Sequence, residues 1–273
     1  MNTERLKYFI LLILGGASFG TASIFIKESQ LTPAAITFLR FAVAGFILSK
    51  GRFVHELKLK EYLVLGGLLS LHMFTFVEGV YHTTIIDATV LVSTSPFFVV
   101  ILSFLGKYST TRRDLIAVTI GFLGVVLINS PLDEGDILGN LISVFSAFTI
   151  ALYTLKLSKI AVRDPLGSTA WIYLTSALFS FPFFLLEGIG RIDLVSILSL
   201  IGLIFLPTLI GHTSIVVASG KVKPQHIETI GLLEPVVATA LSIPLFGEIP
   251  TPLELLGSTL IISSIIVVIR SEE

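Results

Sequence analysis

Between its loops the chain runs in long blocks that are apolar on every face, such as VSILSLIGLIFLPTLIGHTSIVV (Val195 to Val217). A helix with no polar stripe has nothing to show to water, and about 20 such residues span a bilayer core of about 30 Å. Composition agrees: charged residues make up 14% of the chain, well under the roughly 25% of soluble domains. The fold class expected is an all-α integral membrane protein.

Ten candidate spans follow: Tyr8 to Ile26, Pro33 to Ser49, Tyr62 to Tyr81, Asp87 to Leu105, Leu115 to Asn129, Ile137 to Leu155, Leu166 to Leu186, Leu194 to Val217, His226 to Phe246 and Leu253 to Ile269. MNTERLK and the run after it lack a clear cleavage site and are expected to stay as the first span. Short-loop Lys and Arg gather on the cytoplasmic side. With the N-terminus inside, Arg5, Lys7, Lys50, Arg52, Lys58, Lys60, Lys107, Arg112, Arg113, Lys156, Lys159, Arg163, Lys221, Lys223 and Arg270 fall inside, which is 15 of 18 basic residues. Lys27 and Arg191 fall outside with the acidic loop of Asp133, Glu134 and Asp136, and Arg40 lies within a span. Both termini are therefore expected in the cytoplasm, in the cell or inner membrane.

The fourth and ninth spans align at their prolines, STSPFFVVILSFLGK (Ser93 to Lys107) over LLEPVVATALSIPLFGE (Leu232 to Glu248). IAVTIGFLGVVLI likewise parallels LGSTLIISSIIVV. Two five-span repeats are expected, 1–131 and 132–273. An odd number of spans inverts the second copy, and such inverted repeats recur in secondary transporters around a midplane site.

FGTASIFIKE, TPAAITFLRFAVAG, the proline-bearing fourth span and LLEPVVATALSIPLFGE resemble the EamA-type members of the drug/metabolite transporter superfamily. The resemblance covers nearly the whole chain, and Arg40 and the LEP to FGE stretch are its most specific parts. It implies a ten-helix carrier of small metabolites, often an exporter of amino acids or related compounds, with a central cavity lined mainly by spans 1, 3, 4, 6, 8 and 9. The chain departs from the family at Phe19, where Trp is usual, and at Lys107, where an acid is usual.

Arg40, His72, Pro96, Pro207 and Glu234 fall near mid-depth, where an ionised group must face protein or a wet cavity. Glu234 is a candidate substrate anchor or proton carrier, against a structural carboxylate paired with Arg40. Pro235 removes a backbone hydrogen bond and frees carbonyls near Gly231. Pro96, with Ser93 and Ser95, makes the matching helix break, unless those hydroxyls only bond back to their own helix. Arg40 is expected in a structural ion pair with Glu78 or Glu234, and Pro207 at a simple kink. His72 and His212, one per repeat, are candidate ligand or titrating groups against the alternative of satisfied buried histidines. Glu78 approaches the outer end of span 3. Gly16 with Gly20, and Gly121 with Gly124, are expected to permit close packing.

With no cysteine and no HxxxH spacing, neither a metal site nor a cofactor is expected. No basic patch suggests nucleic acid. The function expected is a secondary transporter of a small polar or amphipathic metabolite, working by alternating access and exporting it, with proton coupling at Glu234 as an extension. Partners are that metabolite and membrane lipid, and the oligomeric state is left open. The rivals are a passive channel and a membrane-embedded enzyme, although neither an HExxH nor a Walker motif is present.

Overall fold

The computed structural model describes residues 3–51, 55–106, 110–130, 136–160, 162–246 and 249–271. Arg52, Lys107, Asp133, Glu134, Gly247, Glu248 and the expected boundary between 131 and 132 lie outside the described residues. Among the described residues the fold is all-helical, with two isolated bridges and no strand. The helices are α1 Thr3–Phe19, α2 Ala22–Ser29, α3 Pro33–Ser49, α4 Leu59–His82, α5 Ile85–Val92, α6 Ser95–Gly106, α7 Arg112–Ile128, α8 Ile137–Ser158 and α9 Pro165–Glu187. After them come α10 Leu194–Leu203, a π-helical segment Ile204–His212, α11 Thr213–Ala218, α12 Pro224–Gly231, α13 Leu233–Phe246 and α14 Pro252–Ser271.

Helix starts follow local chemistry. Thr32 precedes Pro33 and its hydroxyl accepts the Ala35 N–H at 3.1 Å; Asp164 precedes Pro165 and accepts the Gly167 N–H at 3.1 Å. In both, a side-chain acceptor satisfies an orphan donor and proline sits where its missing N–H costs nothing. Asp193 caps α10 through the Ser196 backbone N–H, a hydrogen bond that holds its carboxyl below the usual carboxylate range.

Among the described residues, seven helical stretches are long and apolar enough to cross a membrane: Arg5–Ser29, Leu59–His82, Asp87–Phe104, Ile137–Ser158, Pro165–Glu187, Leu194–Ala218 and Pro252–Ser271. The other three expected spans are the shorter α3, with 17 residues, α7, also of 17 residues and opening on Arg112, Arg113 and Asp114, and the broken pair α12 and α13. Large apolar side chains such as Phe104, Leu141, Leu178, Leu185 and Ile197 stand exposed on the outer surface, where lipid, not water, is the matching solvent.

The interior holds many buried Ser and Thr residues, the small polar groups that knit helices where apolar contact gives little net drive. Ser176 Oγ, for example, donates to the Gly66 carbonyl at 3.0 Å between α9 and α4. Packing joins α3 to α9, α7 to α14, α4 to α8, and α1 with α2 to the rod made of α10, the π segment and α11. The expected glycine contacts are present. A Cβ on Gly124 would lie 2.6 Å from the Gly257 oxygen, one on Gly16 2.7 Å from the Ile230 oxygen, and one on Gly20 2.8 Å from the Glu234 oxygen.

Candidate functional site

Helix interruptions converge on one place. The α12–α13 rod breaks at Leu232, three residues before Pro235, whose missing N–H leaves the Gly231 carbonyl without its helical donor. The α5–α6 rod breaks at Ser93 and Thr94, immediately before the turn that holds Pro96. Span 1 breaks at Gly20 and Thr21, and the π segment carries Pro207. Residues at or beside all four interruptions line a single central cavity of about 90 Å³, including Gly16, Ser93, Pro207, Gly231 and Glu234. The expectation for Pro207 needs revision: the helix does not simply kink but widens into nine residues of π-helix, a distortion common at functional sites.

The cavity wall contains most of the groups that depth alone singled out. Arg40, His72, His212, Ser93, Ser95 and Glu234 all line it. His72 and His212 meet with ring centroids 6.1 Å apart, flanked by Phe76 and Phe19. His72 Nδ1 is anchored by Ser146, 3.1 Å from its carbonyl oxygen and 2.9 Å from its hydroxyl. His212 Nδ1 is buried with no hydrogen-bond partner among the described residues.

The ion pair expected for Arg40 is not formed. Among the described residues no carboxylate lies within 4.0 Å of it. Its Nε instead donates to Thr208 Oγ1 at 2.8 Å. Pro207 is the reason: it has no N–H to donate into the preceding turn, and the Thr208 hydroxyl donates to the Leu203 carbonyl at 2.7 Å. With its proton committed there, the Thr208 oxygen is turned to accept from Arg40. Tyr173 closes the arrangement by donating to the Thr208 carbonyl at 2.8 Å. Arg40 is 1% exposed, and its Nη1 has no hydrogen-bond partner among the described residues.

Glu78 leaves the candidate set. It stands six residues past His72 on α4, about 9 Å further along the helix axis, and pairs with His82 at 3.1 Å, outside the cavity. Glu234 lines the cavity, and its Oε1 is buried without a hydrogen-bond partner among the described residues. The hydroxyls before Pro96 divide: Ser93 and Thr94 bond back to the Thr89 and Leu91 carbonyls, whereas Ser95 Oγ reaches across to Glu228 Oε2 at 2.6 Å.

Glu228 is the residue that sequence reasoning missed. Its place two residues into the expected ninth span marks a charge near the headgroups. Every residue of α12 from Pro224 to Ile230 is instead buried, and Glu228 lies on the cavity wall. Both of its oxygens are held, Oε2 by Ser95 and Oε1 by Thr154 Oγ1 at 2.5 Å. The only sequence signal was a carboxylate one and a half turns before the Glu-Pro pair. A second buried cluster lies nearer the start of α12, where Asp114 accepts from His226 Nε2 at 2.7 Å and Gln225 Nε2 at 3.1 Å, with Lys223 Nζ at 3.7 Å.

An apolar, lipid-suited exterior around a central cavity with ionisable groups in a largely apolar wall is the arrangement of a multi-pass membrane transporter, and the comparisons with known proteins name the same class. The EamA-like transporter family profile matches residues 6–130 and again 137–270. The chain belongs to this family, within the drug/metabolite transporter superfamily. An uncharacterized transporter of Archaeoglobus fulgidus is 29% identical, with 97% of this chain and 99% of that one covered. A probable amino-acid metabolite efflux pump of Salmonella typhimurium is 28% identical over 65% of each chain. The pseudopaline exporter of Pseudomonas aeruginosa is 24% identical over the full length of both. One protein crystal structure shares the fold, with a TM-score of 0.81 at 16% identity and full coverage of both chains.

Proposed function

We propose that the chain is a secondary carrier that crosses the membrane ten times and exports a small metabolite bearing both a carboxylate and an ammonium group. One observation carries this reading: a single central cavity presents an unpartnered buried donor, Arg40 Nη1, and an unpartnered buried acceptor, Glu234 Oε1. Orphaned buried polar atoms are costly. A zwitterion that offers a carboxylate to one and an amine to the other satisfies both.

Alternating access is supported by the packing. Five crossings per half place the halves in opposite orientation, with the α5–α6 and α12–α13 breaks as counterparts. The second helix of one half packs on that of the other (α3 on α9), as do the fifth helices (α7 on α14). The end loops pair crosswise too. The Glu56 carboxylate, before α4, accepts the Arg163 and Asp164 N–H groups at 2.7 Å each, and Thr32 Oγ1 donates to the Gly188 carbonyl at 2.7 Å. The twofold family match has the same sense. Outward direction rests on the relatives named as an efflux pump and an exporter, and cytoplasmic termini on the Lys and Arg distribution.

Counterflow tests the reading. Vesicles holding the purified protein and preloaded with unlabelled amino acid accumulate labelled amino acid transiently above equilibrium, as a carrier does and a passive channel does not. Glu234→Gln retains the fold but loses this exchange, and loses uptake driven by a pH gradient if the proton travels on the same carboxylate. Equilibration without overshoot contradicts the carrier, and full exchange by the Gln variant contradicts the role of Glu234.

A further inference from the structure

The zwitterion reading satisfies two orphaned atoms but leaves the charge of the cavity unbalanced. Apart from the two histidines, the ionisable residues on the wall are Arg40, Glu228 and Glu234. With the imidazoles uncharged and both carboxylates ionised, the formal charges are one positive and two negative. Glu228 is no distant bystander: it is 8% exposed, lies in the lining, and no basic side chain among the described residues is within 4.0 Å of it.

The way Glu228 is held also matters. Ser95, from the first half, donates to Oε2 and Thr154, from the second, to Oε1. Two hydroxyl donors stabilise an ionised carboxylate better than a protonated one. Each carboxylate oxygen accepts more than one hydrogen bond, so both keep capacity for a further donor. A solute with no net charge leaves one buried carboxylate to be neutralised by a proton, whereas a second cationic nitrogen pairs with it directly.

We infer that the cavity selects a solute of net charge +1, with one carboxylate for Arg40 and two cationic nitrogen groups for Glu234 and Glu228, and that Glu228 determines this charge preference. The class is an amino acid with a second amine or a guanidine on its side chain. The inference rests on the carrier reading above and names the substrate class of the same site.

The test compares probes of one size and different charge on the full chain: L-lysine and L-ornithine at +1, L-leucine and L-glutamine as net-neutral zwitterions, L-glutamate at −1, and putrescine, which lacks the carboxylate. In thermal melting and in vesicle counterflow at neutral pH, lysine or ornithine is expected to lead the neutral probes by roughly tenfold or more in apparent affinity. Glu228→Gln keeps the size of the side chain and removes the charge, with one hydroxyl partner turning to accept from the new amide N–H, so the order should reverse in favour of the neutral zwitterions. Wild-type preference for neutral or anionic probes overturns the inference while leaving the carrier intact, as does an unchanged order in a folded Glu228→Gln protein. A putrescine response equal to that of lysine removes the role of the carboxylate and overturns it too. Should the variant not fold, the wild-type ranking alone decides. Absence of saturable exchange with every probe is a different result, because it contradicts the carrier reading itself.

Discussion

Thr208→Val removes the acceptor of the Arg40 Nε proton and the donor to the Leu203 carbonyl in one change. Leaving a buried donor unpaired costs about 1 to 3 kcal/mol, so a clear fall in melting temperature and loss of exchange are expected, with Thr208→Ser restoring both. A Val variant that melts and exchanges like the parent contradicts the assigned role. Arg40, His72, His212 and Glu234 were legible in the sequence because a polar group at mid-depth in an apolar run is conspicuous by itself. Their partners were not. Thr208 lies 168 residues from Arg40 in sequence, Ser146 is 74 from His72, and Ser95 is 133 from Glu228, and in membrane helices hydroxyls are too common to single out. Glu234 was offered as a partner for Arg40 on depth alone, but depth fixes only one coordinate, and the bundle sets Thr208 against the guanidinium instead.

At the scale of helices, the breaks are where function is expected to reside. Pro235→Ala supplies an N–H within reach of the Gly231 carbonyl and so removes the bar that a first-turn proline sets against a continuous α12–α13 helix. The variant should melt higher by a few degrees and exchange substrate several-fold more slowly, since fused α12 and α13 resist bending; an unaltered exchange rate contradicts a hinge at this point. Two of the four interruptions were legible from Pro96 and Pro235. That at Gly20 and Thr21 carries no proline, and its cause is tertiary: α1 lies so close to the α12–α13 break that side chains at Gly16 and Gly20 would strike the Ile230 and Glu234 carbonyls. The π segment was foreshadowed by Pro207 as a kink, but neither its nine-residue extent nor the bond from the Thr208 hydroxyl to the Leu203 carbonyl can be read from a periodicity.

Over the whole molecule, hydropathy made the membrane class plain, and the proline register is what the proposed two-half organisation starts from. Depth alone could not separate Glu78, at one end of the bundle, from the central groups, nor place Glu228 among them. The central claim is that the cavity is wet from one side at a time. Gly231 offers a direct probe: it lines the cavity, a Cβ added there meets nothing within 4 Å, and the chain has no native cysteine. Labelling of Gly231→Cys with a membrane-impermeant thiol reagent, applied separately to each face of sealed vesicles, is the most direct measurement. Modification from either face, slowed by saturating substrate, is the predicted result; modification only by lipid-soluble reagents, or from one face whatever the substrate and gradient, contradicts the account.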